Sequence, residues 1–205
     1  PDPRQRVEEL HDRPDRPRSL EMDDSQLATA GARRCLARRP ETDPGPRAVM
    51  VGMDRERIAE RVDEALAQLP GARGVNNHMG SLLTRHPGHM TWLMDELSRR
   101  GGLYFIDSKT TSKSIADKIA MENNVPVLSL DFFLDPDHKA GTLRRQFDRF
   151  IKKVNRHGYA LAIAHPYPET IKFLKANLNE LNQHGIKLIP VSDLVRTANQ
   201  RNKYP

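Results

Sequence analysis

The sequence has a single cysteine, Cys35, in 205 residues. That excludes an internal disulfide framework and a cysteine-based zinc knuckle. Aromatic residues make up only 5% of the chain. The net charge of +6 is therefore not read as a nucleic-acid surface, and nucleic acid is not expected as a partner. No run of about 18 apolar residues occurs, so no membrane-spanning helix is expected. No G-x-G-x-x-G or G-x-x-x-x-G-K follows any apolar run, which removes the main support for dinucleotide or P-loop phosphate binding. The opening Pro-Asp-Pro-Arg-Gln-Arg has no apolar core behind it, so no signal peptide is read there. Lysine is absent before Lys109, whereas ten lysines follow from that position on.

What is present divides in two. Residues 1–46 are rich in Arg, Pro and Asp and sustain neither a period of 3.6 nor a period of 2. By composition that segment is expected to be disordered or loosely packed. Residues 47–205 are orderly and of a size for one domain. Residues 48–52 read as a short edge strand. "MDRERIAERVDEALAQLP" then sets Ile58, Val62, Leu66 and Leu69 on one helical face, with Pro70-Gly71 as its stop. "PGHMTWLMDELSRRGG" is a second helix with Met90, Leu93, Met94 and Leu97 inward. "LYFIDS" is a buried strand, "TSKSIADKIAMENN" a helix starting near Ser112, and "VPVLSLDFFLD" a strand ending at Asp131. A long helix over "AGTLRRQFDRFIKKVNRHG", a strand over "YALAIAHPYP", a helix over "ETIKFLKANLNELNQHG" and a last strand and turn over "IKLIPVSDLV" complete the chain. The strands are nearly continuous apolar runs, which indicates a parallel sheet covered by helices. A (β/α) barrel and an open doubly wound sheet both fit.

Polar groups that packing does not require stand at the strand ends: Asn76-Asn77-His78, Asp107-Ser108, Asp131, His165 and Ser192-Asp193. In a parallel fold these ends converge on one rim, where barrel enzymes keep their chemistry. Two histidines and an aspartate from separate strands suit a divalent metal that activates water. Each residue also has a structural reading. His78 fits a helix cap or a bridge between loops. Asp107, ahead of "SKTTSKS", fits a capping turn, and Asp131 fits the start of a turn. His165, on the stiff corner "AHPYPET", is read as functional. His157 and His184 precede glycines at helix ends, where a positive group suits the dipole. His86 and His89 lack the i, i+4 spacing of a helical zinc pair, and Trp92 with Met90 and Met94 reads as core.

Together "GVNNHMGS", "YFIDSKTTSKSIADKIA", "VPVLSLDFFLD" and "AIAHPYPETI" resemble the divergent polysaccharide deacetylase family, in the family's order over residues 49–195. The resemblance implies a distorted (β/α) barrel and hydrolysis of acetyl groups from an N-acetylated polysaccharide. It also implies a divalent metal, zinc foremost, and a periplasmic or cell-envelope location. Carried over by position, His78 resembles a metal ligand. Asp107 resembles the carboxylate that orients or deprotonates, and His165 the histidine that protonates the leaving amine. Asn76, Asn77 and Ser108 are expected to bind substrate.

Residues 1–46 depart from the family pattern. Its members open with an apolar strand ending in two aspartates, and a later strand ends in a histidine before a proline-containing turn. Here the only Asp-Asp is Asp23-Asp24 in "LEMDDSQ", and no histidine lies between His11 and His78. The segment is read as aberrant, from a frame-displaced translation or a truncated gene, which implies an incomplete barrel and an incomplete metal site. The rival reading is a non-enzymatic carbohydrate-binding or envelope-associated module that grips glycan without hydrolysing it.

Overall fold

Asp54 stops the chain from continuing as a loop: its side chain accepts the Arg57 N–H at 2.8 Å and starts helix α1 (Arg55–Ala67). Ile58 and Val62, one turn apart, are the buried residues of that helix. The computed structural model describes residues 48–69, 71–77, 81–137 and 139–203. Strand β1 (Gly74–Asn76) leads through a short 3-10 turn (Leu83–Arg85) to α2 (Pro87–Arg100). There follow β2 (Tyr104–Asp107), α3 (Ala116–Glu122), β3 (Val127–Ser129) and β4 (Phe132–Phe133). The chain ends in α4 (Ala140–His157), β5 (Ala162–Ile163), α5 (Pro168–Asn177), α6 (Glu180–Gln183) and α7 (Val191–Lys203).

Among the described residues the strands pair in parallel, as the continuous apolar runs imply: β1 with β2, β2 with β3, and β4 with β5. The expected strand "VPVLSLDFFLD" is split. Leu130 N–H still bonds Asp107 O on the β2 side, at 2.8 Å, whereas Asp131 N–H bonds Leu161 O, at 3.0 Å. The chain changes partner at that bend, so strand order follows chain order across two small sheets. Among the described residues these sheets are open and close no barrel.

Alternation along the strands feeds two cores. Phe105 and Val127 point to α1, α2 and α3, packing with Ile58, Met90, Met94, Leu97 and Ile119. Ile106, Leu128 and Leu130 point the other way and meet Leu194, Val195 and Ala198 of α7. Each buried side chain of this size contributes about 1.5–3 kcal/mol. Asn199 pins α7 to the start of β3, accepting the Val127 N–H at 3.4 Å and donating to its carbonyl at 3.0 Å. A third cluster, Phe147, Ile151, Leu181 and Ile186, seats α4 on α5 and α6. Helix α4 ends where Gly158, at φ 84°, turns left-handed and donates its N–H to Val154 O at 2.7 Å.

Three expectations are corrected. "IKLIPVSDLV" forms no strand: α7 begins at Val191, so Ser192 and Asp193 lie in a helical first turn, where Asp193 pairs with Arg196 at 2.6 Å. Residues 48–52 reduce to a single bridge at Val49. The helix expected from Ser112 starts at Ala116, because residues 110–113 turn and Ser114 bonds Asp107 at the end of β2 instead.

Two features make testable statements about packing. Gly74 lies under the Tyr104 ring, and a Cβ there would stand 2.3 Å from Tyr104 Cε2. Gly74→Ala is expected to displace the ring and cost about 1–3 kcal/mol in denaturant unfolding; an unchanged midpoint would contradict the contact. His89, buried in α2, accepts the Gly52 N–H on Nε2 at 3.1 Å, so its proton sits on Nδ1, 2.9 Å from His86 Nδ1. Burial first, and then the neighbouring His86, hold its pKa below the ordinary histidine value. The unfolded chain therefore binds the extra proton first, and this contribution to stability is full above about pH 6.5 and is lost as pH falls below it. Thermal melts of His89→Gln should show a shallower loss of Tm on acidification than the parent; parallel slopes would contradict this.

Candidate active site

The strand ends carry two polar assemblies. The first closes over β1, β2 and β3. Asn77 is fully buried, and its Oδ1 accepts the Ser108 N–H at 2.8 Å. Asn76 Nδ2 reaches Ser108 Oγ at 3.4 Å. Asp107, with no exposed surface, accepts the Lys109 N–H at 2.9 Å on Oδ1 and the Ser114 hydroxyl at 2.8 Å on Oδ2. Lys109 Nζ folds back to the same carboxylate at 3.0 Å and continues to Asp117 at 2.7 Å. Asp117 in turn accepts from the Ser129 hydroxyl at 3.0 Å. Lys109 adopts φ 43° to make this return.

The titrations of this assembly follow from its geometry. Burial alone would lower the Lys109 pKa, but the hydrogen bonds to Asp117 and Asp107 outweigh it and hold the ammonium above its usual value. Burial alone would raise Asp117, and the Lys109 ammonium outweighs that and holds the carboxyl below its usual range. The assembly is a closed bracket of ion pairs and hydrogen bonds. It ties loop 107–117 down onto the sheet.

The second assembly stands at the ends of β4 and β5. Asp135 is buried, and its Oδ2 accepts the His165 backbone N–H at 2.7 Å and the Thr170 hydroxyl at 2.9 Å. Its Oδ1 faces His165 Nδ1 at 2.8 Å. A carboxylate only accepts, so the His165 proton sits on Nδ1 and Nε2 keeps its lone pair. The ring is about one-third exposed, at 34%. It lies nearly parallel to Phe133, at 10°, and 5.6 Å from the Tyr167 ring. Pro168 in the first turn of α5 fixes the corner, with the Tyr167 N–H bonded to His165 O at 2.8 Å. A held imidazole with one oriented, accessible nitrogen accepts or delivers a proton at a defined place.

The sequence-predicted residues thus separate. Asn76, Asn77, Asp107 and Ser108 come together, but the oxygens of Asp107 are already engaged by Lys109 and Ser114. His165 belongs to the other assembly. His78 lies outside the described residues. Asp131 serves the bend, accepting the Leu161 N–H at 2.8 Å and pairing with Lys153 at 2.5 Å. The residue missed from sequence is Asp135. Its signal was available: it ends the apolar run "FFL" and precedes Pro136, the same pattern that drew attention to the other strand ends.

The donor set was tested against a divalent metal. Among the described residues no group of three or more His, Cys, Asp or Glu side chains is placed to hold one. His165 offers Nε2 alone, and Asp107 is committed to its bracket. These residues by themselves do not fit a catalytic zinc, which takes three protein ligands.

Comparison with known proteins gives a consistent result. The family described as Divergent polysaccharide deacetylase matches residues 37–195. An uncharacterized protein of Haemophilus influenzae is 40% identical over 146 residues, covering 71% of this chain and 51% of its own length. The uncharacterized protein YibQ of Escherichia coli is 34% identical over 143 residues, covering 70% of this chain and 44% of its own. The chain therefore spans about half the length of these curated relatives. The crystal structure of an uncharacterized protein from Agrobacterium tumefaciens C58, ATU2773, superposes with a TM-score of 0.72 at 25% identity. That alignment covers 76% of this chain and 63% of the other.

Proposed function

Since this chain belongs to the divergent polysaccharide deacetylase family, we propose that it hydrolyses acetyl groups from an N-acetylated polysaccharide, with His165 as the group that handles the proton. The observation that carries this reading is the buried Asp135 carboxylate bonded to His165 Nδ1 at 2.8 Å, with the His165 side chain about one-third exposed. In amide hydrolysis a water oxygen adds to the acetyl carbon and the C–N bond breaks. The sugar nitrogen must leave with a proton, or it does not leave at all. Asp135 fixes the tautomer and orientation of His165 and supplies a counter-charge when Nε2 is protonated. Nε2 takes the proton that the attacking water gives up and delivers it to the departing amine, so the products are acetate, carrying the water oxygen, and a free amino sugar.

The family's metal would need donors beyond those that the described residues supply, His78 first among them. A bacterial envelope location is proposed by descent. The barrel is likewise a matter of descent: strand order following chain order is what one arc of a (β/α) barrel has.

A second reading has its own support. Asn76 is only half-buried at the strand ends and is braced by Ser108, with Asn77 and Asp107 buried beneath, as in a rim that holds glycan without hydrolysing it. The experiment that separates the two follows acetyl release from N-acetylated oligosaccharide, with zinc supplied, for the parent chain and His165→Ala. Turnover lost by about 10²-fold or more in the variant with glycan binding retained is expected. Equal binding with no turnover in either protein would favour the binding module.

A further inference from the structure

Helix α4 buries Leu143, Phe147 and Ile151 and shows its opposite side to solvent. Arg145, Arg149, Lys152 and Arg156 are exposed. Their spacing of four, three and four residues sets them within about 60° on the ridge facing away from the core. At 1.5 Å per residue the ridge runs about 16 Å.

Like charges at i, i+4 destabilise a helix, and exposed helices ordinarily intersperse the two signs. Helix α1 of this same chain does so, pairing Arg57 with Glu60 at 2.5 Å and Arg61 with Glu64 at 2.6 Å. Helix α4 does not. Its one acidic residue, Asp148, is bonded to Arg144 and only feels Lys152 through space. Arg145 donates to Thr142 Oγ1 at 2.7 Å, with the Asp137 charge nearby, and Arg149 donates to Gln146 at 2.9 Å and lies 5.4 Å over the Phe132 ring. Among the described residues none of the four ridge cations forms an ion pair with a carboxylate. Beside it, α5 packs through Phe147 and Phe173 and turns Lys172 and Lys175 to solvent.

We propose that this face adsorbs to an anionic phospholipid surface. The ridge is convex, so a plane of headgroup phosphates meets it along its length. The ridge cations project no aromatic ring on which nucleic-acid bases stack, and Phe132 beside them is covered by Arg149. The apolar side of α4 is committed to the core, so attachment is electrostatic and shallow and falls steeply with salt. The inference is independent of the chemistry at the strand ends.

The test is co-sedimentation of the full chain with phosphatidylcholine vesicles, with and without about 30% phosphatidylglycerol, at about 0.05 and 0.5 M salt. Two double variants of equal net charge are compared: K152E with R156E on the ridge, and K113E with K118E elsewhere. Binding only to the anionic vesicles, lost at high salt and lowered about tenfold or more by the ridge variant alone, is expected. An equal loss in both variants would assign the effect to net charge and overturn the proposal. Ridge-dependent binding to duplex DNA or an acidic polysaccharide, without vesicle binding, would overturn it too.

Discussion

Asp135→Asn is expected to lower turnover by about 10²–10⁴-fold with little change in KM. The reason lies in what an amide can offer. The two donors on Oδ2, the His165 N–H and the Thr170 hydroxyl, require an acceptor there. An asparagine that turns its oxygen to them turns its NH₂ toward His165 Nδ1. That nitrogen must then accept, so the ring proton moves to Nε2 and the imidazole presents the wrong tautomer. Side-chain shape and burial are conserved, so the melting temperature should change far less than the rate. A variant as active as the parent would remove Asp135 from the account. Lost activity with a collapsed Tm would make its role structural.

Asp107→Ala is expected to act through stability instead. The substitution strips the partner from Lys109 Nζ, the Lys109 N–H and the Ser114 hydroxyl in one step. Breaking a buried pair from one side costs about 3–5 kcal/mol. Lys109 is partly exposed and keeps Asp117, so the lower end, about 3 kcal/mol, is expected. For a domain of this size that is a fall in Tm of roughly 6–12 °C. Lys109→Met in the same chain removes the stranded charge and should recover part of the loss. A well-folded Asp107→Ala protein with normal Tm and no turnover would restore Asp107 to the chemistry and contradict the bracket.

The contrast between these two aspartates marks how far the sequence could be read. Both follow apolar runs; Asp107 precedes Ser-Lys and Asp135 precedes a proline, and neither neighbour says which side chain the carboxylate will meet. Their roles diverge because Lys109 folds back at φ 43° onto one of them, whereas the other meets His165 from a strand 30 residues away. Neither event has a local signature. His165 was legible because Pro166 and Pro168, both just after it, keep a helix from running through that corner. Parallel pairing was legible because "YFI" and "VPVLSL" leave no polar alternation for a solvent face. "IKLIPVSDLV" was not. Its apolar residues suit a strand as well as a helix, and burial decided: Leu194, Val195 and Ala198 pack on the sheet, while Leu188 and Ile189 stay exposed. The split at Asp131 was equally hidden, because a change of strand partner is a tertiary event.

The Asp135–His165 pair is proposed to serve acetyl hydrolysis. The measurement that tests this role most directly counts acetate and free amine together, from one N-acetylated oligosaccharide, with the purified chain and added divalent metal. The account predicts the two products in equal amounts, rising with enzyme and abolished in His165→Ala. Neither product above the enzyme-free blank, from a chain that is folded and still binds the oligosaccharide, would contradict it.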